Sequence, residues 1–355
     1  MQQAADTFGG PVDVAVAQVV YAVDFSHWKR TIVRDFFAGA EVVFVDRPEQ
    51  APADCVLVVW GSKPLPDCVG EGVRLLRLED GFLRSVGLGA DLIRPISWVA
   101  DAKGIYYDST RPSDLEHLLA TTNFPADLVE RACLLRQRIA ATGMTKYNVG
   151  GAPWTAPGDA RRVILVPGQV ETDASIALGA PGEKTNLGLL RRVREANPDA
   201  HLLYKPHPDV VAGLRAAGAG EGSAAKWCDE VVTDASMGDL LGKVDEVHVL
   251  TSLAGFEALL RGRAVTCYGQ PFYSGWGLTQ DLIALPRRNR ILRIDELVAG
   301  VLILYPRYMS RRSGALISPE QALDELLAWR ERARPAVPWW RSAFRMVLRR
   351  VVGVR

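Results

Sequence analysis

The chain has 355 residues, 48% of them hydrophobic and 23% charged, with a net charge of +1. That length exceeds one ordinary core and predicts two domains of roughly 150 residues each, and the composition excludes a disordered or fibrous chain. The balanced charge excludes nucleic acid as a partner, because binding it demands a concentrated basic face.

No basic region followed by an apolar stretch opens the chain, and no run approaches the ~20 apolar residues of a membrane span. Five scattered cysteines, Cys55, Cys68, Cys133, Cys228 and Cys267, read as reduced core thiols. Together these features predict a soluble, cytoplasmic protein. Short apolar runs at Val12 to Val16, Glu41 to Val45, Cys55 to Trp60 and Arg74 to Leu78 predict buried strands of a parallel sheet. A helix follows from Asp127 to Thr142, then a Gly- and Pro-rich stretch from Gly150 to Gly158 that reads as a linker.

The second half alternates more cleanly. Strands are predicted at Val163 to Pro167, His201 to Lys205, Glu230 to Val232, Glu246 to Leu250 and Ala264 to Tyr268. Helices are predicted at Asn186 to Ala196, Met237 to Gly242, Gly255 to Arg261 and Pro319 to Glu331. This is a doubly wound βα pattern, without a G-x-G-x-x-G or P-loop fingerprint. The expected fold class is α/β of GT-B architecture, two Rossmann-like doubly wound domains facing across a cleft. The expected division is 1–150 for the acceptor side, 159–316 for the donor side, 317–335 for a C-terminal helix and 336–355 for a basic amphipathic tail. In that tail Arg341, Arg345 and Arg349 recur beside Trp, Phe, Met and Leu, a pattern suited to an anionic bilayer, with a frayed, soluble tail or a helix packed on the body as the alternatives.

Five constellations carry chemistry. Arg77-Leu-Glu-Asp-Gly-Phe-Leu-Arg84 ends a strand in two carboxylates, of which Glu79 is favoured as acid/base and Asp80 as a turn cap, with Arg84 as a possible substrate contact. After the strand ending at Pro167, Gln169, Glu171 and Asp173 line a polar loop; both carboxylates qualify chemically, and helix capping by Asp173 competes. Two prolines around His207 stiffen the backbone, so His207 and Lys205 read as a proton donor or as cations beside a leaving phosphate. Thr251 and Ser252 open a helix whose start, with Gly255, reads as a phosphate site, and Glu257 one turn in reads as a ribose contact. The stretch Tyr268 to Gly277 crowds aromatics, Tyr273 and Trp276 among them, as a possible saccharide surface, with a packed loop as the alternative. No His/Cys/Asp/Glu set has metal spacing, so no metal is expected.

These stretches, with Gly104-Ile-Tyr-Tyr-Asp-Ser-Thr-Arg-Pro-Ser-Asp-Leu-Glu116, Pro271-Phe-Tyr-Ser-Gly-Trp-Gly277 and Leu304-Tyr-Pro-Arg-Tyr308, resemble the KpsC/LipB-type capsule polysaccharide biosynthesis proteins, the retaining β-Kdo transferases. The resemblance runs from about Leu76 to Tyr308. It implies CMP-β-Kdo as donor with no further cofactor, and a Kdo-terminated lipid-linked saccharide as acceptor. A capsule assembly complex joins the expected partners, and the basic tail adds an anionic membrane surface through 339–355, so the expected location is cytoplasmic and peripheral at the inner face of the inner membrane. By the same implication Asp173 is the nucleophile, Glu79 the acid/base and His207 a donor-binding histidine, with Ser252 and Glu257 in the nucleotide-binding part. Family members are commonly tandems of two modules. The Gly-Gln-Val-Glu-x-Asp-Ala-Ser form here looks more like the C-terminal module and implies a 2→7 linkage. A UDP-sugar 2-epimerase-like enzyme and a non-catalytic export or assembly factor are the other readings.

Overall fold

The computed structural model describes residues 18–65, 70, 72–87, 93–149, 151, 153–158 and 162–332. The strand expected at Val12 to Val16 and the tail at 336–355 lie outside the described residues. The chain packs into two units, one made of residues 1–84, 94–134 and 295–325, the other of 85–93, 135–294 and 326–355.

The first unit is built on a mixed seven-stranded sheet. Strand β1 (Val19–Val23) is followed by helix α1 (His27–Phe36) and three further strands, β2 (Glu41–Val45), β3 (Val56–Trp60) and β4 (Arg74–Asp80). All four run parallel, in the order β4-β3-β1-β2. Ile32, Val33 and Phe36 of α1 face the sheet and pack on Val20, Val58, Leu76, Leu78 and Trp98. Strand β5 (Ser97–Asp101) then runs antiparallel to β4. Its five residues are all buried, which removes the polar alternation that would have marked it as a strand. Helices α2 (Asp114–Thr121) and α3 (Ala126–Thr142) follow.

The second unit holds a six-stranded, wholly parallel sheet. It comprises β6 (Val163–Pro167), β7 (His201–Lys205), β8 (Glu230–Val231), β9 (Glu246–Val249), β10 (Ala264–Cys267) and β11 (Gln280–Asp281). Their spatial order is β8-β7-β6-β9-β10-β11, the arrangement of a Rossmann sheet, whose order reverses between β6 and β9. Helices α4 (Ala174–Gly179), α5 (Asn186–Ala196), α6 (Pro208–Val211), α7 (Met237–Lys243) and α8 (Leu253–Leu259) connect the strands. Ile164, Val166, Leu202 and Tyr204 from the sheet pack on Ile176, Leu189, Leu190 and Val193 of α4 and α5.

Residues 295–316 differ from the expected division. After α9 (Ile294–Val298) and a π-helical turn over Ala299–Leu304, strands β12 (Arg307–Met309) and β13 (Leu316–Ile317) join the first sheet, not the second. The cause is an open edge: β5 is antiparallel to β4 and leaves its outer side for β12, which pairs Arg307 with Trp98 and Tyr308 with Ser97. Helix α10 (Pro319–Arg332) ends the described chain.

Candidate functional site

Ligands of open α/β sheets collect outside the carboxyl ends of the strands where the order reverses. In the second unit those ends are Pro167 of β6 and Val249 of β9, and the loops beyond them carry Gln169 and Thr251. The Gln169 amide bridges the loops, Nε2 donating to Thr251 Oγ1 at 3.1 Å and Oε1 accepting from the Thr251 N–H at 3.0 Å. Gln169 and Thr251 are thus brought together as a strut. Gly168 allows the next loop to come close, since a Cβ there would stand 2.6 Å from the Tyr204 hydroxyl and 3.2 Å from the His207 nitrogen.

The two carboxylates of the β6 loop separate by what their oxygens do. Glu171 accepts from the Asn186 N–H and the Ala219 N–H, both at 2.8 Å, and so ties the start of α5 to the loop before Glu221. Asp173 occupies the N-cap of α4 but makes no side-chain capping bond. Its carboxylate pairs instead with the Arg215 guanidinium at 2.6 Å, and 41% of its side chain is exposed. Capping, the bland reading of Asp173, is not what the carboxylate does.

His207 caps the short helix α6, its Nδ1 accepting from the Asp209 N–H at 3.2 Å. That bond places the proton of the neutral ring on Nε2. Burial first, then Lys146 and Arg215, push its pKa down to about 4. At neutral pH the free protein therefore offers an N–H donor, not the cation that the Lys-Pro-His-Pro spacing suggested. The cations are Lys146 and Arg215, neither of which belongs to a recognisable motif. Lys146 sits in a turn closed by Asn148, whose φ is +54° and whose amide donates to the carbonyls of Ser85 and Thr145. Tyr147 from the same turn stands edge-on to His207, with ring centroids 6.3 Å apart.

Other expected contacts have structural duties. Lys205 is buried and donates to the carbonyls of Ala235 at 2.7 Å and Thr233 at 3.3 Å. Ser252 caps α8 by accepting from the Ala254 N–H at 3.2 Å. Glu257 is buried, its pKa raised by that burial, and it accepts from the Lys146 N–H at 2.7 Å, which fixes the turn beside His207. Tyr273 and Trp276 are corrections to the aromatic-surface expectation. Both are fully buried: the Tyr273 hydroxyl donates to the Ser252 carbonyl at 2.5 Å and Trp276 Nε1 to the Phe272 carbonyl at 2.9 Å. No ring face is left for a saccharide, and the packed-loop alternative holds. Gly255 is explained by the same contact, because a Cβ there would collide with the Tyr273 ring.

In the first unit, the order reverses between β1 and β3. Successive residues of a strand point to opposite faces, so Glu79 and Asp80 at the end of β4 part company. Asp80 accepts from Arg84 Nε at 2.5 Å. Arg84, expected as a substrate contact, is buried and pairs through Nε with Asp80. Glu79 Oε1 accepts from the Asp80 N–H at 2.9 Å. A Cβ on Gly61 would stand 3.4 Å from Glu79 Oε2 and 2.9 Å from the Tyr107 hydroxyl, so both groups converge on the bare end of β3. The glycine of the Glu-Asp-Gly motif is required by β5, for a Cβ on Gly81 would run into the side chain of Ser97. Lys29, in the first turn of α1, lies with its ammonium 3.1 Å from the centroid of the Trp60 ring. Burial lowers its pKa to about 8 against the opposing pull of Asp80 and Glu79. Sequence reasoning missed Lys29 because one lysine in an amphipathic helix carries no spacing signal.

Fold and residues together define an α/β protein with a Rossmann-ordered sheet whose switch-point loop after β6 carries Asp173; Arg215 pairs with that carboxylate and, with Lys146, acts on the neutral His207. The model of the family described as capsule polysaccharide biosynthesis protein matches residues 68–149 and 138–308, and the chain belongs to that family, in its KpsC/LipB type. It is 43% identical over 318 residues to the capsule polysaccharide modification protein LipA of Neisseria meningitidis, covering 87% of this chain and 45% of LipA. The chain therefore spans about half the length of that relative. It is 41% identical over 317 residues to the lipopolysaccharide-processing protein LpsZ of Rhizobium meliloti, covering 84% of this chain and 72% of LpsZ. Two solved structures from Thermosulfurimonas dismutans KpsC are similar. The β-Kdo 2,7 transferase matches with a TM-score of 0.74 at 42% identity, covering 87% of this chain and 99% of that one. The β-Kdo 2,4 transferase matches with a TM-score of 0.75 at 31% identity, covering 87% and 98%.

Proposed function

We propose that the chain is a retaining glycosyltransferase of GT-B architecture that moves Kdo from CMP-β-Kdo to a Kdo-terminated lipid-linked acceptor in capsule biosynthesis. The observation that carries this reading is the state of Asp173: a carboxylate at the switch point of a Rossmann sheet, released from capping and paired with Arg215, a guanidinium that also acts on His207. In the first displacement a carboxylate oxygen of Asp173 bonds to the anomeric carbon of Kdo as the bond from that carbon to the CMP phosphate oxygen breaks. Lys146, Arg215 and the His207 N–H stabilise the departing phosphate. In the second, the acceptor hydroxyl attacks the same carbon, its proton passes to Glu79 and the Asp173 carboxylate is released. Two inversions give retention.

Both Kdo transferase structures fit the backbone equally, so linkage is read from sequence, and the higher identity to the 2,7 enzyme supports a 2→7 bond. Incubation of the protein with CMP-Kdo and a Kdo-terminated synthetic glycolipid tests the reading. The expected product carries a new β-2→7 Kdo by NMR, and Asp173→Asn lowers transfer by at least ~10³-fold with the fold intact, consistent with loss of a covalent nucleophile. Undiminished transfer by Asp173→Asn would overturn the assignment.

A further inference from the structure

We propose that Lys29 is a binding site for the carboxylate of an acidic acceptor sugar, at the carboxyl ends of β1 and β3 in the first unit. The proposal rests on the transferase reading above and gives its acceptor a chemical handle.

The argument starts from the ammonium itself. It lies on the face of Trp60, which is held in place edge-on by Trp98, with ring centroids 5.2 Å apart, and by Phe25 at 6.4 Å. An indole face attracts a cation but accepts no conventional hydrogen bond in the plane of its ring. Among the described residues the Lys29 ammonium makes no hydrogen bond and no ion pair, so its three N–H donors have no protein acceptor there. The carboxylates in its field are otherwise engaged: Asp80 by Arg84, and Glu79 Oε1 by the Asp80 N–H. Lys63, the other lysine in its field, is paired with Asp24 at 2.6 Å. A half-buried ammonium with no protein acceptor, lying at a switch point, is a receptor for an oxyanion.

Charge then selects the oxyanion. The charges that act on Lys29 are the carboxylates Asp80 and Glu79 and the cations Arg84 and Lys63, with the Arg77 guanidinium on the carbonyls of Gly61 and Lys63 at the same strand end. Glu79 and Asp80 repel a phosphate dianion strongly, whereas a carboxylate monoanion that neutralises Lys29 alone is tolerated. Glu79 belongs to the same strand end, on the opposite face from Asp80. A sugar acid anchored at Lys29 is thus placed to offer its hydroxyl to Glu79.

The test compares two acceptors, an alkyl β-Kdo glycoside and its C1 carboxamide, with CMP-Kdo as donor. The wild type is expected to show a KM at least tenfold lower for the carboxylate. Lys29→Met is expected to erase that preference by raising the carboxylate KM tenfold or more, and Lys29→Arg to keep it. Equal KM values for the two acceptors in the wild type, or a preference that survives in Lys29→Met, would overturn the Lys29 assignment while leaving the transferase reading in place. A wild-type protein that releases no CMP from CMP-Kdo with either acceptor would overturn the transferase reading, and this proposal with it. Thermal unfolding of both variants separates misfolding from lost recognition.

Discussion

Glu171 and Asp173 stand two residues apart on one loop, and what divides them is the work their oxygens already do. A carboxylate whose two oxygens each close a backbone N–H is held to the fold at both ends, whereas one paired through a single oxygen with a guanidinium keeps the other oxygen for an electrophile. Spacing alone left the pair undecided; the hydrogen bonds are what favour Asp173 in the proposal made above. His207 shows the same dependence on surroundings. Its motif was legible, its charge state was not, because the groups that depress it, Lys146 and Arg215, lie far away in sequence. The sign follows directly: the folded ring titrates near pH 4, the unfolded one near ~6.5. The folded protein thus binds fewer protons in between, and this histidine's contribution to stability is complete above ~6.5 and is lost as pH falls toward 4. Nitrogen-detected NMR of the ligand-free protein is expected to show His207 as the neutral Nε2–H tautomer throughout pH 5 to 8, and a midpoint inside that range would contradict the burial argument.

At the scale of elements, strands with hydrophobic runs and helices with clear caps were legible, among them β6, β7 and α5. Helix α1 and strand β5 were missed, and with them the frame around Lys29. Helix α1 follows a strand, β1, that the sequence reading did not include, and β5 is too uniformly buried to alternate. Aromatic loops mislead for a related reason: Phe, Tyr and Trp in sequence do not say whether their faces meet ligand or core. In the stretch from Pro271 to Gly277 they meet core, and they brace the capped start of α8. Gly255→Ala is therefore expected to destabilise by at least ~2 kcal/mol, because the added methyl displaces the Tyr273 ring that holds the Ser252 carbonyl. Chemical denaturation monitored by tryptophan fluorescence measures it; a loss below ~0.5 kcal/mol would show that the loop gives way freely.

For the molecule as a whole, the first unit depends on contacts of long sequence separation. Buried Asp101, at the end of β5, accepts from the N–H groups of Lys103, Gly104 and Asp114, and from the Tyr305 hydroxyl at 2.8 Å, 204 residues away. Tyr305→Phe removes one bond to a buried carboxylate and is expected to cost about 1–3 kcal/mol. The accompanying rise in amide hydrogen exchange should concentrate in residues 295–317; a uniform rise would argue against a local tie. This return of the chain also sets the order of events during synthesis. Strand β5 is complete at Asp101, yet its outer partner begins only at Arg307. At typical ribosomal speeds the nascent chain carries an unpaired sheet edge for roughly 10–40 s. Such edges are templates for association with other chains, so yield in cells should be governed less by the finished protein's stability than by how well that waiting edge is shielded on the ribosome.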